Sequence, residues 1–261
     1  NYEIFKEVVT ESFKDYLPEQ YRGMELKVNP VQKINKTLDG LSLIGGDRDV
    51  SPTIYINDMY EHYKDCGDLK DAIQTGAEKM SYALELYREA PQIDMTEAKD
   101  NIVFQLINTE QNRDILTQVP HREFQDLSII YRWVVKADEE GIQSIMVKNN
   151  LAEQLGLSEE QMFKLAVENT KRILPPCVKS MNDVICEIFM RDGMPREIAQ
   201  MILGEISQDQ MMWVITNDRG INGAVSMLYE EKLHTLAEKL ESDLYILPSS
   251  VHEVIAVSAS M

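Results

Sequence analysis

The chain has 261 residues, of which 44% are apolar and 27% charged, a composition typical of a folded protein rather than a disordered one. Its 44 acidic and 26 basic residues give a net charge of −18, which disfavours nucleic acid and anionic membranes as partners because both would be repelled. The three cysteines include no Cys-x-x-Cys pair, and residues 1–18 contain no apolar core of a signal peptide. Both observations predict a cytoplasmic location.

The first third of the chain predicts helices and a β-hairpin. Apolar residues at helical spacing over 2–16 predict a helix that Pro18 ends. Apolar stretches separated by turn residues predict strands at 24–34, 41–44 and 51–56. Pro30 places the first of these strands at a sheet edge or a bulge, because proline cannot donate to a neighbouring strand. Asp68 is the predicted N-cap of a long helix that Pro91 stops.

The rest of the chain predicts alternating strands and helices. Strands are predicted at 102–107, 127–135, 142–147, 211–216, 224–228, 243–247 and 251–257. Helices are predicted at 110–118, 158–173, 178–191, 195–204 and 231–240. The strand 127–135 is almost continuously apolar, which indicates burial on both faces. Ser158 and Gln161 have the spacing of a capping box at the start of their helix.

These elements predict an α+β fold with a mixed, largely antiparallel sheet whose helices lie mainly on one face. A smaller N-terminal lobe of helices and a hairpin takes residues 1–91, and the mixed-sheet lobe takes residues 92–261. The sequence leaves open whether the two lobes form one continuous domain.

The short motifs that identify common enzymes do not occur in the sequence. It has no phosphate-binding G-x-x-x-x-G-K-[ST], no dinucleotide-binding G-x-G-x-x-G, no G-x-S-x-G nucleophile elbow and no zinc-binding H-E-x-x-H. We therefore assign no cofactor from the sequence and look for the function in less specific groups of polar residues.

Two polar segments, 120–126 and 248–253, each come directly before a predicted strand. Polar groups at strand ends often bind ligands, and the two segments would converge if their strands are neighbours. Asn169, within the apolar face of its helix, is a further candidate. The predicted binding residues are His121, Arg122, Glu123, Asp126, Asn169, Ser249, Ser250, His252 and Glu253.

Converging segments would bring together two imidazoles and two carboxylates, those of His121, His252, Glu123 and Glu253. Such a set suits a metal ion or acid–base catalysis. The alternative is structural, because caps, turns and ion pairs use the same residue types. His252 and Glu253 are also neighbours in a predicted strand, so their side chains point to opposite faces.

A serine-type site is a further alternative, with Ser249 or Ser250 as the nucleophile and His121 as the base. Two serines after a proline are, however, ordinary turn residues. A buried amide such as that of Asn169 most simply ties its helix to nearby backbone. None of these patterns is specific enough to assign a reaction.

A series of local strings gives the chain a distinctive order of motifs. They are Leu38-Asp39-Gly40-Leu41, Ser51-Pro52-Thr53-Ile54-Tyr55, Val119-Pro120-His121-Arg122-Glu123-Phe124, Glu168-Asn169-Thr170, Asn222-Gly223-Ala224 and Leu247-Pro248-Ser249-Ser250-Val251-His252-Glu253. From about residue 24 to the C-terminus, this series resembles a domain-of-unknown-function family from gut-dwelling anaerobic Gram-positive bacteria. The resemblance implies a bacterial cytoplasmic protein and carries no activity, substrate or cofactor with it.

Two classes of function follow from these observations. The first is a non-enzymatic binding or regulatory protein that takes an unknown small molecule or protein at the polar segments. The second is a metal-assisted or serine-type hydrolase that uses His121 and His252. The hydrolase requires side chains within hydrogen-bond reach of one another, whereas binding requires only a concave polar site.

Overall fold

The computed structural model describes residues 1–45, 52–89, 95–138, 141–204 and 211–260. The chain divides into two compact units, Asn1–Ile93 and Asp94–Met261. Whether these units are separate domains, with the boundary after residue 91, stays a prediction. Within the described ranges, no helix combines the length and the apolar character that crossing a membrane requires.

The first unit packs helices against an antiparallel sheet with the strand order β1-β2-β3. Phe13, Leu41 and Met80 are completely buried in its core. Its elements are α1 (Tyr2–Ser12), a 3-10 helix (Phe13–Tyr16), α2 (Glu19–Arg22), β1 (Glu25–Lys33), β2 (Lys36–Ile44), β3 (Thr53–Tyr55), α3 (Ile56–Cys66) and α4 (Leu69–Glu89).

The hairpin of this unit turns earlier than the sequence predicts. β2 begins at Lys36 rather than at residue 41, because residues 36–40 already pair with β1. Asn35 makes the reversal with a φ of +62°, a left-handed conformation that asparagine tolerates better than most residues. Pro30 lies in the edge strand β1, as predicted.

The predicted start of α4 is confirmed. Oδ1 of Asp68 accepts the backbone N–H groups of Lys70 at 2.8 Å and of Asp71 at 3.2 Å, which satisfies two otherwise unpaired donors of the first turn. Pro91, which we expected to end this helix, lies outside the described residues.

In the described ranges, the second unit contains two antiparallel sheets with helices packed against them. Its first half consists of a 3-10 helix (Met95–Asn101), β4 (Ile102–Asn108), a 3-10 helix (Glu110–Asn112), α5 (Arg113–Leu116), β5 (His121–Phe124), β6 (Leu127–Asp138), β7 (Gly141–Met146), α6 (Asn149–Leu155) and α7 (Glu159–Ile173). Its second half consists of β8 (Pro176–Ser180), α8 (Met181–Arg191), α9 (Arg196–Leu203), β9 (Trp213–Asn217), a 3-10 helix (Gly223–Leu228), α10 (Glu230–Leu240), β10 (Leu244–Pro248) and β11 (Val254–Ser258).

The first sheet of this unit is built around β6. β4 pairs with one side of β6, while β5 and β7 pair with different lengths of its other side. The central position explains the continuous apolar run predicted at 127–135. Because side chains alternate along a strand, Tyr131 and Trp133 point to the face that α7 covers. Ile130 and Arg132 point to the opposite face, named here the Arg132 face.

α7 also covers the outer edge of β4. The backbone N–H of Phe104 donates to Oγ1 of Thr170 at 2.9 Å, and Thr170 is completely buried. The helix begins with the predicted capping box. Oγ of Ser158 accepts the Gln161 backbone N–H at 3.3 Å, and Oε1 of Gln161 accepts the Ser158 backbone N–H at 2.9 Å.

The second sheet has the strand order β10-β11-β9-β8. β8 is a strand that the sequence analysis missed, since a helix was expected from residue 178. α8 begins only at Met181, where Oγ of Ser180 accepts the Asp183 backbone N–H at 3.0 Å. This cap fixes the change from strand to helix at a position that the apolar spacing alone does not show.

The strand predicted at 224–228 is wrong, because this stretch belongs to the 3-10 helix Gly223–Leu228. Its first four residues are all buried, so the short helix has the continuous burial of an interior strand. The α+β class with largely antiparallel pairing is confirmed, and each strand pair in the described ranges is antiparallel. The strands of the second unit are divided between two sheets instead of forming one mixed sheet.

Candidate functional site

The first polar segment is the short strand β5 followed by a turn, rather than an open corner. His121 is exposed, and its Nδ1 donates to the Val119 carbonyl oxygen at 3.1 Å. Glu123 is exposed as well, and the carbonyl oxygen of Asp126 accepts the Thr109 backbone N–H at 3.1 Å. These contacts fasten the segment to its surroundings and leave the Glu123 side chain facing solvent.

Arg122 holds β5 against α7. Its Nε and Nη2 donate to the two carboxylate oxygens of Glu159 at 3.0 and 2.9 Å. Its guanidinium lies 3.9 Å from the centre of the Phe163 ring, and the Tyr131 hydroxyl donates to the same Glu159 carboxylate. Burial would raise the pKa of Glu159, but hydrogen bonds from Arg122 and Tyr131 hold that pKa below its ordinary value. Arg122 is therefore paired with an acidic side chain and packed on an aromatic ring within the protein.

Asn169 is bound to backbone, as the structural interpretation expects. Its Nδ2 donates to the Lys99 carbonyl oxygen at 2.9 Å, and the residue is only 9% exposed. Its Oδ1 accepts a longer hydrogen bond from Nη2 of Arg172 at 3.5 Å. The amide thus fastens α7 to the 3-10 helix that precedes β4.

The second polar segment is a closed turn. The hydroxyls of Ser249 and Ser250 donate to Oε1 of Glu253 at 3.1 and 2.7 Å. Oγ of Ser250 also accepts the His252 backbone N–H at 2.9 Å, and the Ser250 backbone N–H donates to the Glu253 carbonyl oxygen at 3.1 Å. In the part of the chain that the structure describes, neither serine hydroxyl is hydrogen-bonded to the imidazole ring of a histidine.

His252 connects this turn to the loop at 217–222. Its Nδ1 accepts the Asn222 backbone N–H at 3.2 Å, so the proton of the neutral ring is on Nε2. Its carbonyl oxygen accepts a hydrogen bond from Oγ1 of Thr216 at 2.8 Å. A methyl group at Gly223 would overlap both that carbonyl oxygen and Thr216 Oγ1, so the close approach of the two segments requires glycine.

The loop at 217–222 also contacts the sheet built around β6. Asn222, with a φ of +53°, accepts a hydrogen bond from Nε2 of Gln105 at 2.6 Å through its Oδ1. Gln105 is 3% exposed and points to the Arg132 face. His121 shares this face, because it pairs with the same β6 residue as Gln105. His121 thus lies on the Arg132 face, whereas His252 contacts the backbone of Asn222, whose side chain binds Gln105 on that face.

The four-residue metal set considered from the sequence is not assembled. Among the described residues, the one group of possible metal ligands within 4.8 Å of one another lies in the first unit and consists of His62, Cys66 and Asp71. His121 and His252 belong to no such group in that part of the chain.

Arg132 is a residue of this face that the sequence analysis did not select. Its Nε and Nη2 donate to Oγ and the carbonyl oxygen of Ser144 at 2.8 and 2.9 Å, and its Nη1 donates to Oε1 of Gln105 at 3.3 Å. These acceptors are all uncharged, and no described carboxylate forms an ion pair with the guanidinium. Burial lowers the pKa of Arg132 because it penalises the charged form. The available signal was a single charge inside an apolar strand.

A broad cleft of about 710 Å³ lies elsewhere in this unit, beside α8, α9 and β9. Cys186, Trp213 and Lys239 line it, and the Lys239 ammonium lies 4.3 Å from the centre of the Trp213 ring. Gly204 and Met211 form part of its wall, and residues 205–210 between them lie outside the described ranges. We assign no site to this cleft for that reason.

Comparison with protein families identifies a relationship over nearly the whole chain. The model of a family of unknown function, DUF5688, matches residues 2–261. No curated protein and no solved structure matches the chain.

Proposed function

We propose that this chain, which belongs to the DUF5688 family of unknown function, is a non-enzymatic binding protein for a small anionic molecule. Arg132 would hold the carboxylate or phosphate group of that molecule, on the face bordered by Gln105, Ser144 and the loop at 217–222. The proposal keeps the ligand-binding alternative of the sequence analysis and gives it a site.

The observation that carries the proposal is a half-buried guanidinium without an acidic partner among the described residues. The chain has 44 acidic residues, and Arg122 in the adjacent strand binds one of them through two hydrogen bonds. Burying a cation is unfavourable unless a counter-charge is present, so arginines in such positions are generally paired or bind an anion. The planar fork of Arg132 has five N–H donors, more than its contacts with Gln105 and Ser144 use.

The surroundings of Arg132 are organised before any ligand binds. Gln105 and Ser144 orient the guanidinium, and Asn222 fixes Gln105 in turn. The loop that carries Asn222 is held by Asn217, which is 2% exposed and bonds the backbone of the same loop. A fork that is already oriented loses less conformational entropy on binding, which favours affinity.

Hydrolysis has less support. The hydroxyls of Ser249 and Ser250 are taken up by the turn, and Nδ1 of His252 accepts a backbone N–H. A serine nucleophile needs a base within hydrogen-bond reach. The described residues contain no serine–histidine contact of this kind, whereas a binding protein does not need one.

We also propose a cytoplasmic setting in a bacterium. The unpaired Cys66, Cys177 and Cys186 support a reducing compartment, and the resemblance to proteins of gut-dwelling anaerobic Gram-positive bacteria supports the origin. The net charge of −18 argues against nucleic acid as the partner. A small anion is compatible with that net charge, because it contacts only the surface around one cation, whereas nucleic acid would contact a large acidic surface.

Isothermal titration calorimetry on the full chain tests the site, with inorganic phosphate and succinate as probes of the two anion classes. We expect at least one probe to bind and its affinity to fall about 10- to 100-fold in Arg132→Gln, the effect of losing a charge-assisted hydrogen bond. Arg122→Gln is the matched control and should keep the affinity of the unmodified chain. Absence of binding by both probes, or equal weakening in the two variants, would overturn the proposal.

A further inference from the structure

The first unit carries a separate group of side chains that the anion site does not involve. His62 and Cys66 lie on α3, and Asp71 lies in the first turn of α4. One ligand atom from each of the three residues lies within 4.8 Å of the other two. We propose that His62, Cys66 and Asp71 form a zinc-binding site.

The local fold explains how these side chains meet. His62 and Cys66 are four residues apart, so they lie on the same side of α3. Gly67 ends the helix with a φ of +71°, and Asp68 caps the next helix directly afterwards. This short connection brings Asp71 back to α3, where its Oδ2 is 2.7 Å from Nε2 of His62.

The sulfur of Cys66 is positioned by the same connection. The backbone N–H of Asp68 donates to Sγ at 3.4 Å, which holds the sulfur beside the connection between the two helices. In the thiol form, Cys66 donates to the Asp68 carbonyl oxygen at 3.5 Å. Zinc would replace that proton, and the side chain is exposed and free of any disulfide.

The three ligand types together favour zinc. Magnesium and calcium prefer oxygen ligands, whereas imidazole nitrogen and thiolate sulfur are common zinc ligands. A tetrahedral zinc ion with bonds of about 2.0 to 2.3 Å holds its ligand atoms roughly 3.3 to 3.8 Å apart. His62 and Asp71 would therefore move apart by roughly 0.6 Å to admit the ion. Their side chains are 41% and 56% exposed, so neighbouring packing does not oppose this movement.

The proposed zinc ion would lie at the edge of a concave surface, because His62 lines that surface. His62 lines a cleft of about 210 Å³ beside β3, α3 and α4, and Asp58 and Lys79 line the same cleft. Three protein ligands leave a fourth tetrahedral position for water or another ligand. The structure thus favours a zinc ion that an external molecule can reach over an ion sealed inside the protein.

An ordinary surface ion pair is the competing explanation for the contact between His62 and Asp71. His234 and Glu238 form a pair of that kind on α10, with Nε2 and Oε1 3.1 Å apart. Within the described residues, that pair belongs to no group of three metal ligands. His234 is therefore the matched control for His62, and the half-buried Cys177 is the control for Cys66.

Titration of the full chain with cobalt(II) tests the thiolate ligand directly. A tetrahedral cobalt ion bound by Cys66 should give strong visible absorption and a near-ultraviolet sulfur-to-cobalt charge-transfer band, and zinc should displace it. We expect the charge-transfer band to vanish in Cys66→Ser and to persist in Cys177→Ser. A chain without the band, or equal loss of the band in both variants, would exclude the site.

Competition with a chromophoric zinc chelator tests the other two ligands. Zinc affinity should fall by at least about 10- to 100-fold in His62→Ala and in Asp71→Asn. Replacing a residue that only hydrogen-bonds to a metal ligand already has an effect of that size, so loss of a ligand should have at least the same effect. His234→Ala should bind zinc as the unmodified chain does. Unchanged affinity in both ligand variants, with circular dichroism showing that they remain folded, would refute the assignment.

Discussion

Arg122 and Arg132 lie in adjacent strands of one sheet and point to opposite faces, and only Arg122 has an acidic partner among the described residues. Arg122 binds both carboxylate oxygens of Glu159 and stacks on Phe163. Arg132 has neutral oxygen acceptors and no described acidic partner. The difference teaches that residue type alone does not decide whether an arginine is available to a ligand, because the acidic partner of Arg122 comes from α7, which covers only one face of the sheet.

The two arginines should therefore contribute to stability by different amounts. Truncating a paired arginine leaves its half-buried carboxylate without a counter-charge, which is unfavourable. Truncating an unpaired arginine removes a partly desolvated charge that has no counter-charge. The stability lost with its hydrogen bonds is therefore partly offset. Three substitutions test this contrast, in order of decreasing expected effect. The first alters the loop that positions Gln105 beside Arg132, and the other two replace the arginines themselves.

The largest effect is expected from Gly223→Ala, which disturbs the support of Arg132. The added methyl group would overlap the His252 carbonyl oxygen, so the loop that carries Asn222 has to move. We expect the free energy of unfolding to fall by about 3 kcal/mol, measured by urea denaturation, because backbone atoms cannot rotate away as a side chain can.

Gly23→Ala is the control for this change. Gly23 has an ordinary φ of −75°, and a methyl group there would meet no atom within 4 Å. Its replacement should leave stability unchanged or raise it slightly by restricting the unfolded chain. Equal stability of the two alanine variants would mean that the contact at Gly223 is looser than described.

An intermediate effect is expected from Arg122→Gln, and it should depend on pH. The variant should lose about 1 kcal/mol at neutral pH, the range of a partly exposed ion pair. The pKa of Glu159 lies below its ordinary value of 4.5 in the folded chain, so the pair stabilises fully above pH 4.5. This contribution disappears as the pH falls through the folded pKa, because Glu159 becomes neutral.

Urea unfolding of the unmodified chain and of Arg122→Gln, at neutral pH and again at about pH 3, measures this difference. The two stabilities should approach one another in acid. A gap that stays the same at both pH values would assign the effect of Arg122 to packing on Phe163 instead of to charge.

The smallest effect is expected from Arg132→Met. Removal of the half-buried charge is favourable, while loss of the donor to Gln105 and Ser144 is unfavourable, so the unfolding free energy should change by less than about 1 kcal/mol. Thermal unfolding without added anions measures it. A loss of several kcal/mol would make Arg132 a structural residue like Arg122 and would remove the contrast.

Features set by neighbours in the chain were predictable. The capping box at Ser158 and Gln161, the cap at Asp68 and the edge position of Pro30 all follow from interactions within a few residues. β5 and β8 were not predictable as strands, because each is short and partly polar and is defined only by its partner strand. The 3-10 helix at 223–228 was missed because continuous burial looks the same in a short helix and a strand.

The candidate sites show the same limit. The charge of Arg132 inside an apolar strand was visible, but its neutral partners lie 12 and 27 residues away. The spacing of His62 and Cys66 was visible too, whereas the approach of Asp71 depends on the angle between two helices. The structural alternative for Asn169, a tie to backbone, agrees with its hydrogen bond to the Lys99 carbonyl oxygen, while its place among the predicted binding residues stays a prediction.

The hydroxyl of Thr170 has a consequence for how copies of this chain meet. β4 ends its sheet, and an open strand edge is a template on which another polypeptide can add a strand. Thr170 occupies the Phe104 N–H from a completely buried position, so this donor is closed to strand addition. A single side chain on α7 thus helps to protect the protein against aggregation through this sheet edge.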